Sequence, residues 1–312
     1  MNSVFNKQIG VALITVMLII ALATVIAVSM ASRQNIDIHR SANIINYEQT
    51  YQYILGAEDF SKIKLTKHFI DNPLIVTEDD VNDWKVTFPI EGGTISGEVQ
   101  DLQAKFNLNS LVDASGGVNK LQFTRFKNLL TTLQLDVGLA EKIVDWIDDG
   151  QAPQGLSGVE DNEYLGYEKP YRTADQSMFD ISELLLIKDI DSSVYQSLKE
   201  FVCVLKDSES SINVNTASAE VITSLDSAIT LEQANSFVSD RKEKSFSNVK
   251  GFLNDPVFAG LKVKANGLSV TSDFFNLRAH AVIEKTHLRF MSQLQRVSNG
   301  EINVVKRARI VL

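Results

Sequence analysis

Residues 8–32 read QIGVALITVMLIIALATVIAVSMAS, a run of about 25 positions between Lys7 and Arg33 with no ionisable side chain. Crossing a bilayer as a helix takes about 20 apolar residues, whereas the apolar core of a secretory signal takes about 7–15. The run is long enough to span. Three fates fit it. It is removed as a secretory signal at the small-residue stretch SMAS (29–32), kept as an ordinary anchor, or processed in front of the apolar run and then kept. Charge orients it weakly, since Lys7 precedes it and Arg33, His39 and Arg40 follow.

The remaining chain is long enough for one large or two modest domains. A net charge of −9 and a pI near 5.1 argue against nucleic-acid binding, which favours a basic patch or stripe. Cys203 is the one cysteine and lies in the apolar run FVCVL, so no intramolecular disulfide forms. His39, His68, His280 and His287 show no metal-ligand spacing.

From Asn35 to His68 there is no proline, and Ile36, Ile44, Ile45, Tyr51, Ile54, Leu55, Ile63 and Leu65 recur at roughly helical spacing. One helix from about 11 to 69 is expected, half in the membrane and half on a soluble domain, ending near the DNP of 71–73. The alternative is a membrane helix and a soluble helix with a break between. From Trp84 the pattern turns to short alternating runs, with EGG (91–93) as a hairpin turn. Two helices are expected within 119–147, a Gly- and Pro-containing loop over 150–178, and a helix over 177–187 with Asp180 as N-cap and Glu183 as capping-box partner. Short helices follow in 212–253, and the last 40 residues alternate as strands that complete the sheet begun at 84. FNLNSL and INVNTA are faint echoes of one another.

The densest acidic cluster is DWIDDGQAPQGLSGVEDNEYLG (145–166), where Asp145, Asp148, Asp149, Glu160, Asp161 and Glu163 sit on or beside a glycine-rich loop. Oxygen ligands on a flexible loop suit Ca²⁺, although the spacing is not that of an EF-hand. A solvated acidic loop is the competing reading. Paired catalytic carboxylates are a third, without a nucleophile or oxyanion clamp to accompany them. INVNTASAEVITSL (212–225) looks like the first half of a helix-hairpin-helix module, yet the hairpin position reads DSAITLEQ, without the glycines that present backbone amides to phosphate.

The joint KQIG–VALITVMLII resembles a prepilin peptidase site, cut between Gly10 and Val11 so that the apolar segment is retained. Pilin-like proteins usually carry glutamate at the fifth mature position; here that position is Thr15. A carboxylate at that depth is costly unless it pairs with a neighbour's amine, whereas a threonine hydroxyl bonds its own helix. Together with NYEQTYQYILGAE (46–58), DLQAKFNLNSLVD (101–113), DWIDD (145–149), VEDNEYLGYEKPYRTADQSMFDISELLLI (159–187) and INVNTASAEVI, the whole chain resembles the K-type minor pseudopilins of type II secretion systems.

The resemblance implies an α+β, pilin-like fold: a long N-terminal helix packed on an antiparallel sheet, with a large inserted all-α domain. It divides the chain into a leader (1–10), a transmembrane half-helix (11–33), pilin-like parts at 34–109 and 266–312, and the insertion at 110–265. It further implies a non-enzymatic tip subunit that initiates or caps a pseudopilus. Its partners would be the I and J minor pseudopilins, the major pseudopilin and prepilin peptidase, with no nucleic acid. The chain would pass the inner membrane once, with its soluble domain in the periplasm. Calcium is implied in the acidic loop, with Asp148, Asp149, Glu160 and Asp161 as ligands. Relatives run Asp-x-Asp after the tryptophan where this chain has Asp148, Asp149 and Gly150, so one ligand is either displaced or missing. The rival function is a membrane-tethered DNA-uptake or nucleic-acid-binding protein.

Overall fold

The computed structural model describes residues 9–310, so most of the expected leader, residues 1–8, lies outside the described residues. Helix α1 (Ile9–Asp71) is continuous through both halves, as the absence of proline and the helical spacing predict. It stops where Asn72 precedes Pro73, which disfavours helical backbone before it. A short α2 (Glu78–Asp83) follows, with a Thr77–Asp80 capping box.

Strands β1 (Val86–Ile90) and β2 (Gly93–Asp101) form the expected hairpin. Gly92 closes its turn at φ 74°, and at Gly93 a Cβ would lie 1.7 Å from the Val282 carbonyl oxygen of the neighbouring strand. Only glycine fits there. Next come β3 (Phe106–Asn107), α3 (Lys120–Thr132), α4 (Leu139–Ile147), α5 (Asp161–Tyr164), α6 (Ser192–Leu198), β4 (Val202–Cys203) and β5 (Ile212–Asn213). They are followed by α7 (Ala219–Thr223), α8 (Leu231–Glu243), α9 (Val249–Leu253) and β6 (Leu268–Ser269), and the chain finishes on β7 (Phe274–Ile283), β8 (Thr286–Arg296) and β9 (Ile302–Arg309). The segment expected as a helix over 177–187 is a 3-10 helix, Ile181–Leu186, with the Asp180–Glu183 capping box in place.

The main sheet is antiparallel, in the order β1-β2-β7-β8-β9, so its strands come from both flanks of the helical segment. Residues 102–273 lie between β2 and β7, and the boundaries expected at 110 and 265 fall within them. α1 packs on one sheet face through Thr50, Ile54, Glu58, Ser61, Leu65 and Phe69, all buried and spaced by three or four residues. Ile54, Leu65 and Phe69 join Ile95, Val99, Phe275, Leu277, Leu288 and Leu294 in this core. Glu58 sits within it because Arg307 grips its carboxylate with two nitrogens, at 2.7 and 3.0 Å, and the Ser292 hydroxyl donates to it at 2.6 Å.

The inserted segment has its own core, built from α3, α4, α7 and α8 around Phe106, Phe126, Ile143, Trp146, Ile222 and Phe237. It is not wholly helical. β3 pairs parallel with β4, and β5 pairs parallel with β6. The echo between FNLNSL and INVNTA is structural. Asn107 and Asn213 each accept the amide two residues on, at 3.2 and 3.0 Å. Asn109 then clamps the N–H and C=O of Met178, as Asn215 clamps those of Phe246. Two similar units therefore lie in tandem. They join the sheet at Asp101, a buried carboxylate that accepts from Ser272, Thr216, Asn213 and the Gln103 amide.

Candidate functional site

The acidic loop begins at the last turn of α4, whose apolar stripe buries Ile143, Val144 and Ile147 and carries Asp145 inward with them. Asp145 accepts the Gln154 amide at 2.9 Å, folding the loop back over its own carboxylate. The return pass is so close that a Cβ on Gly158 would lie 2.3 Å from Asp145 Oδ2. This crossing brings Glu160 inside, 4% exposed, with neither carboxylate oxygen hydrogen-bonded. A buried carboxylate without a donor or cation is costly.

Burial, with Asp145, Asp148, Asp175 and Asp161 around it, pushes the Glu160 carboxyl up to about 8. Burial and the neighbouring Asp148 likewise push Asp145 up to about 6, the Gln154 amide opposing the shift. Asp148 is raised by burial and then by Asp149 and Asp175. The electrostatic centre is therefore Glu160 with Asp145, Asp148 and Asp175.

Of the four residues expected as ligands, Asp148 and Glu160 lie in this centre. Asp149 is exposed. Asp161 faces Glu160 but has other partners: Arg172 donates to it at 2.9 Å, and the Thr173 amide and hydroxyl at 3.0 and 2.9 Å. Glu163 pairs with Lys188 at 2.6 Å. Asp175 stands outside the charge run of the sequence, and the chain brings it in through a left-handed backbone, φ 48°. Among the described residues, no three His, Cys, Asp or Glu side chains are arranged to hold a metal ion as they stand. The all-oxygen donor set and the orphaned Glu160 suit a hard cation such as Ca²⁺ in chemical type.

The other sequence features resolve differently. α1 carries a window of mean hydropathy 3.0 with none of it buried, long and apolar enough to cross a membrane. Gly10 and Val11 lie in its first turn, and the Thr15 hydroxyl donates to the Ala12 carbonyl at 2.9 Å, satisfied within its own helix. In the half helix-hairpin-helix, the connection from α7 to α8 contains Asp226, which itself accepts the Ala228 amide at 3.0 Å. That connection therefore holds a carboxylate and no glycine, the opposite of a phosphate-binding hairpin. Cys203 is buried, its thiol pushed up to about 12 by burial.

Comparison with known proteins agrees with this architecture. Residues 104–207 and 212–271 match two family models, both described as type II secretion system protein K, and these ranges coincide with the two tandem units. The type II secretion system protein K of Pseudomonas aeruginosa is 31% identical over 96% of this chain and 92% of its own length. That of Pectobacterium carotovorum is 33% identical over 97% of this chain and 96% of its own. The fold matches a chain in the crystal structure of the GspK-GspI-GspJ complex from the enterotoxigenic Escherichia coli type 2 secretion system, with TM-score 0.79 and 26% identity over 88% of this chain and all of the other. Sequence identity along nearly the full length, and a sheet interrupted by the same tandem units, place this chain in the type II secretion system protein K family.

Proposed function

We propose that this chain is a minor pseudopilin at the tip of a type II secretion pseudopilus. There it initiates or caps assembly with the I and J minor pseudopilins, in support of the export of folded proteins across the outer membrane. The observation that carries this reading is the likeness to a chain solved in the GspK-GspI-GspJ complex, together with Thr15 at the fifth position after Gly10. A subunit with another above it needs a carboxylate to meet that neighbour's amine; a self-satisfied threonine needs no subunit above.

Prepilin peptidase would cut between Gly10 and Val11, and α1 would anchor the chain once in the inner membrane with the rest in the periplasm. The role is structural rather than catalytic. Calcium, when bound, would supply a positive charge that relieves the repulsion among Asp148, Glu160, Asp145 and Asp175. Asp161, held by Arg172 and Thr173, fixes the returning arm, and Asp149 lies at the exposed turn. A nucleic-acid role finds no support in the glycine-free α7–α8 connection or in the charge of −9.

Co-expression of the full chain with the I and J minor pseudopilins of the same system, followed by detergent extraction and size-exclusion chromatography, tests the assignment. One species containing all three is expected. Separate elution of this chain, with I and J still pairing, would overturn it.

A further inference from the structure

The face of the main sheet turned away from α1 carries a second feature. Strand register places Gln100, Asn276, Gln293 and Lys306 in one row across β2, β7, β8 and β9. Alternation puts this row opposite Val99, Leu277 and Leu294, which face the core beneath α1. The inserted segment supplies the facing wall through Phe179, Ile181, Tyr195 and Lys199, and the two enclose a cleft of about 390 Å³.

Four cations line the cleft against two carboxylates: Lys105, Lys199, Arg278 and Lys306 against Asp180 and Glu200. This bias runs opposite to the chain's net charge of −9. Lys306 is engaged by Asp180, by the Phe179 carbonyl at 3.0 Å and by the Phe179 ring at 4.5 Å. Among the described residues, Lys105, Lys199 and Arg278 make no salt bridge within 4.0 Å; Glu200 attracts Lys105 from the cleft rim, and Glu98 stands opposite Arg278 in the β2–β7 register but is bridged to Lys85. The Lys105 ammonium, half-buried, donates to the Lys199 carbonyl at 3.1 Å, and burial pulls its pKa down. At the floor of the row Asn276 is 6% exposed, and its Oδ1 has no donor. Leaving such an oxygen unpaired is costly. Leu102, Val202, Val204 and Met291 make the rest of the lining apolar.

We propose that this cleft docks an extended acidic peptide segment of a partner protein. Its carboxylates meet Lys105, Lys199 and Arg278, and its apolar side chains pack on the floor beside Leu102, Val202, Val204 and Met291. An extended strand sends alternate side chains to opposite sides and so presents charge and apolar surface together. A small anion uses the cations but leaves the apolar lining uncovered. The proposal concerns a surface separate from the acidic loop and is independent of the position of the chain in a fibre.

Fluorescence anisotropy of a labelled peptide alternating glutamate and leucine, titrated with the full chain in detergent micelles, tests it. Saturable binding is expected, weakening several-fold as salt rises from about 0.05 to about 0.3 M, while a peptide alternating lysine and leucine does not bind. Lys199→Glu with Arg278→Glu should weaken binding at least about tenfold, against no change for Lys264→Glu at an exposed site away from the cleft. Should the double variant unfold, Arg278→Gln at its exposed strand position reads the same loss on a smaller scale. Absence of saturable binding, equal binding of the lysine peptide, or binding unchanged by the cleft variants would overturn the proposal.

Discussion

Replacing Glu160 by glutamine tests whether the acidic loop takes a cation. In the folded chain without metal, this carboxyl is held up to about 8 against an ordinary value of 4.5. The folded state therefore keeps a proton that the unfolded state has released. That contribution to stability is complete below about pH 4.5 and is lost as pH rises through about 8. The difference between these two values sets a ceiling of about 5 kcal/mol, and screening by solvent reaching the neighbouring Asp148 and Asp149 brings it to about 2 kcal/mol.

Without calcium, Glu160→Gln should then raise stability at pH 8 by about 2 kcal/mol, about 4–8 °C in unfolding midpoint for a chain of this size, with little change at pH 5. Calcium added to the unmutated chain should substitute for the proton. At one hundred times its dissociation constant, it stabilises by about 2.7 kcal/mol, more at pH 8 than at pH 6, and Mg²⁺ does far less because it demands a tight octahedron. The assay is thermal unfolding of the full chain in detergent at both pH values, in CaCl₂, MgCl₂ or EGTA. An unmutated midpoint indifferent to calcium at both pH values, or an equal calcium shift in Glu160→Gln, would refute the reasoning and return the loop to a solvated acidic turn.

Three further outcomes follow from local geometry. Glu58→Ala leaves the buried Ser292 hydroxyl and the solvent-facing Arg307 without their shared acceptor and should cost about 1–2 kcal/mol in denaturant unfolding. Because the Arg307 and Ser292 contacts hold the Glu58 carboxyl below its ordinary value despite burial, the contribution it makes near neutral pH should fade as pH drops through the acid range. Gly158→Ala forces a Cβ against Asp145 and against the Gln154 backbone at 2.5 Å, and should cost about 2 kcal/mol or more and weaken any calcium response, read in the same thermal scans. Intact-mass analysis of chain extracted from membranes should show a mature start at Val11 with the span retained; a start near Arg33 would contradict processing in front of the apolar run.

The long helix was legible because 25 uncharged positions and a proline-free continuation leave the backbone few alternatives. The hairpin was legible in EGG, the capped start at Asp180 in its pairing with Glu183 though not the 3-10 form that follows, and the return to strand after 273 in simple alternation. Less was visible where structure rests on single long-range contacts. The ladders β3–β4 and β5–β6 pair two residues each, too few for periodicity, and their asparagine clamps reach partners 69 and 31 residues away. The acidic loop shows the same limit. Charge density marked Asp148 and Glu160, but charge alone does not reveal that Arg172 occupies Asp161 or that a left-handed turn brings in Asp175.

The tip position is tested most directly by where the chain sits on an assembled fibre. Gold-labelled antibody against the inserted segment, applied to sheared pseudopili and viewed by electron microscopy, should mark one end of each fibre and leave the shaft bare. Labelling along the whole length, in proportion to the major subunit, would contradict the account.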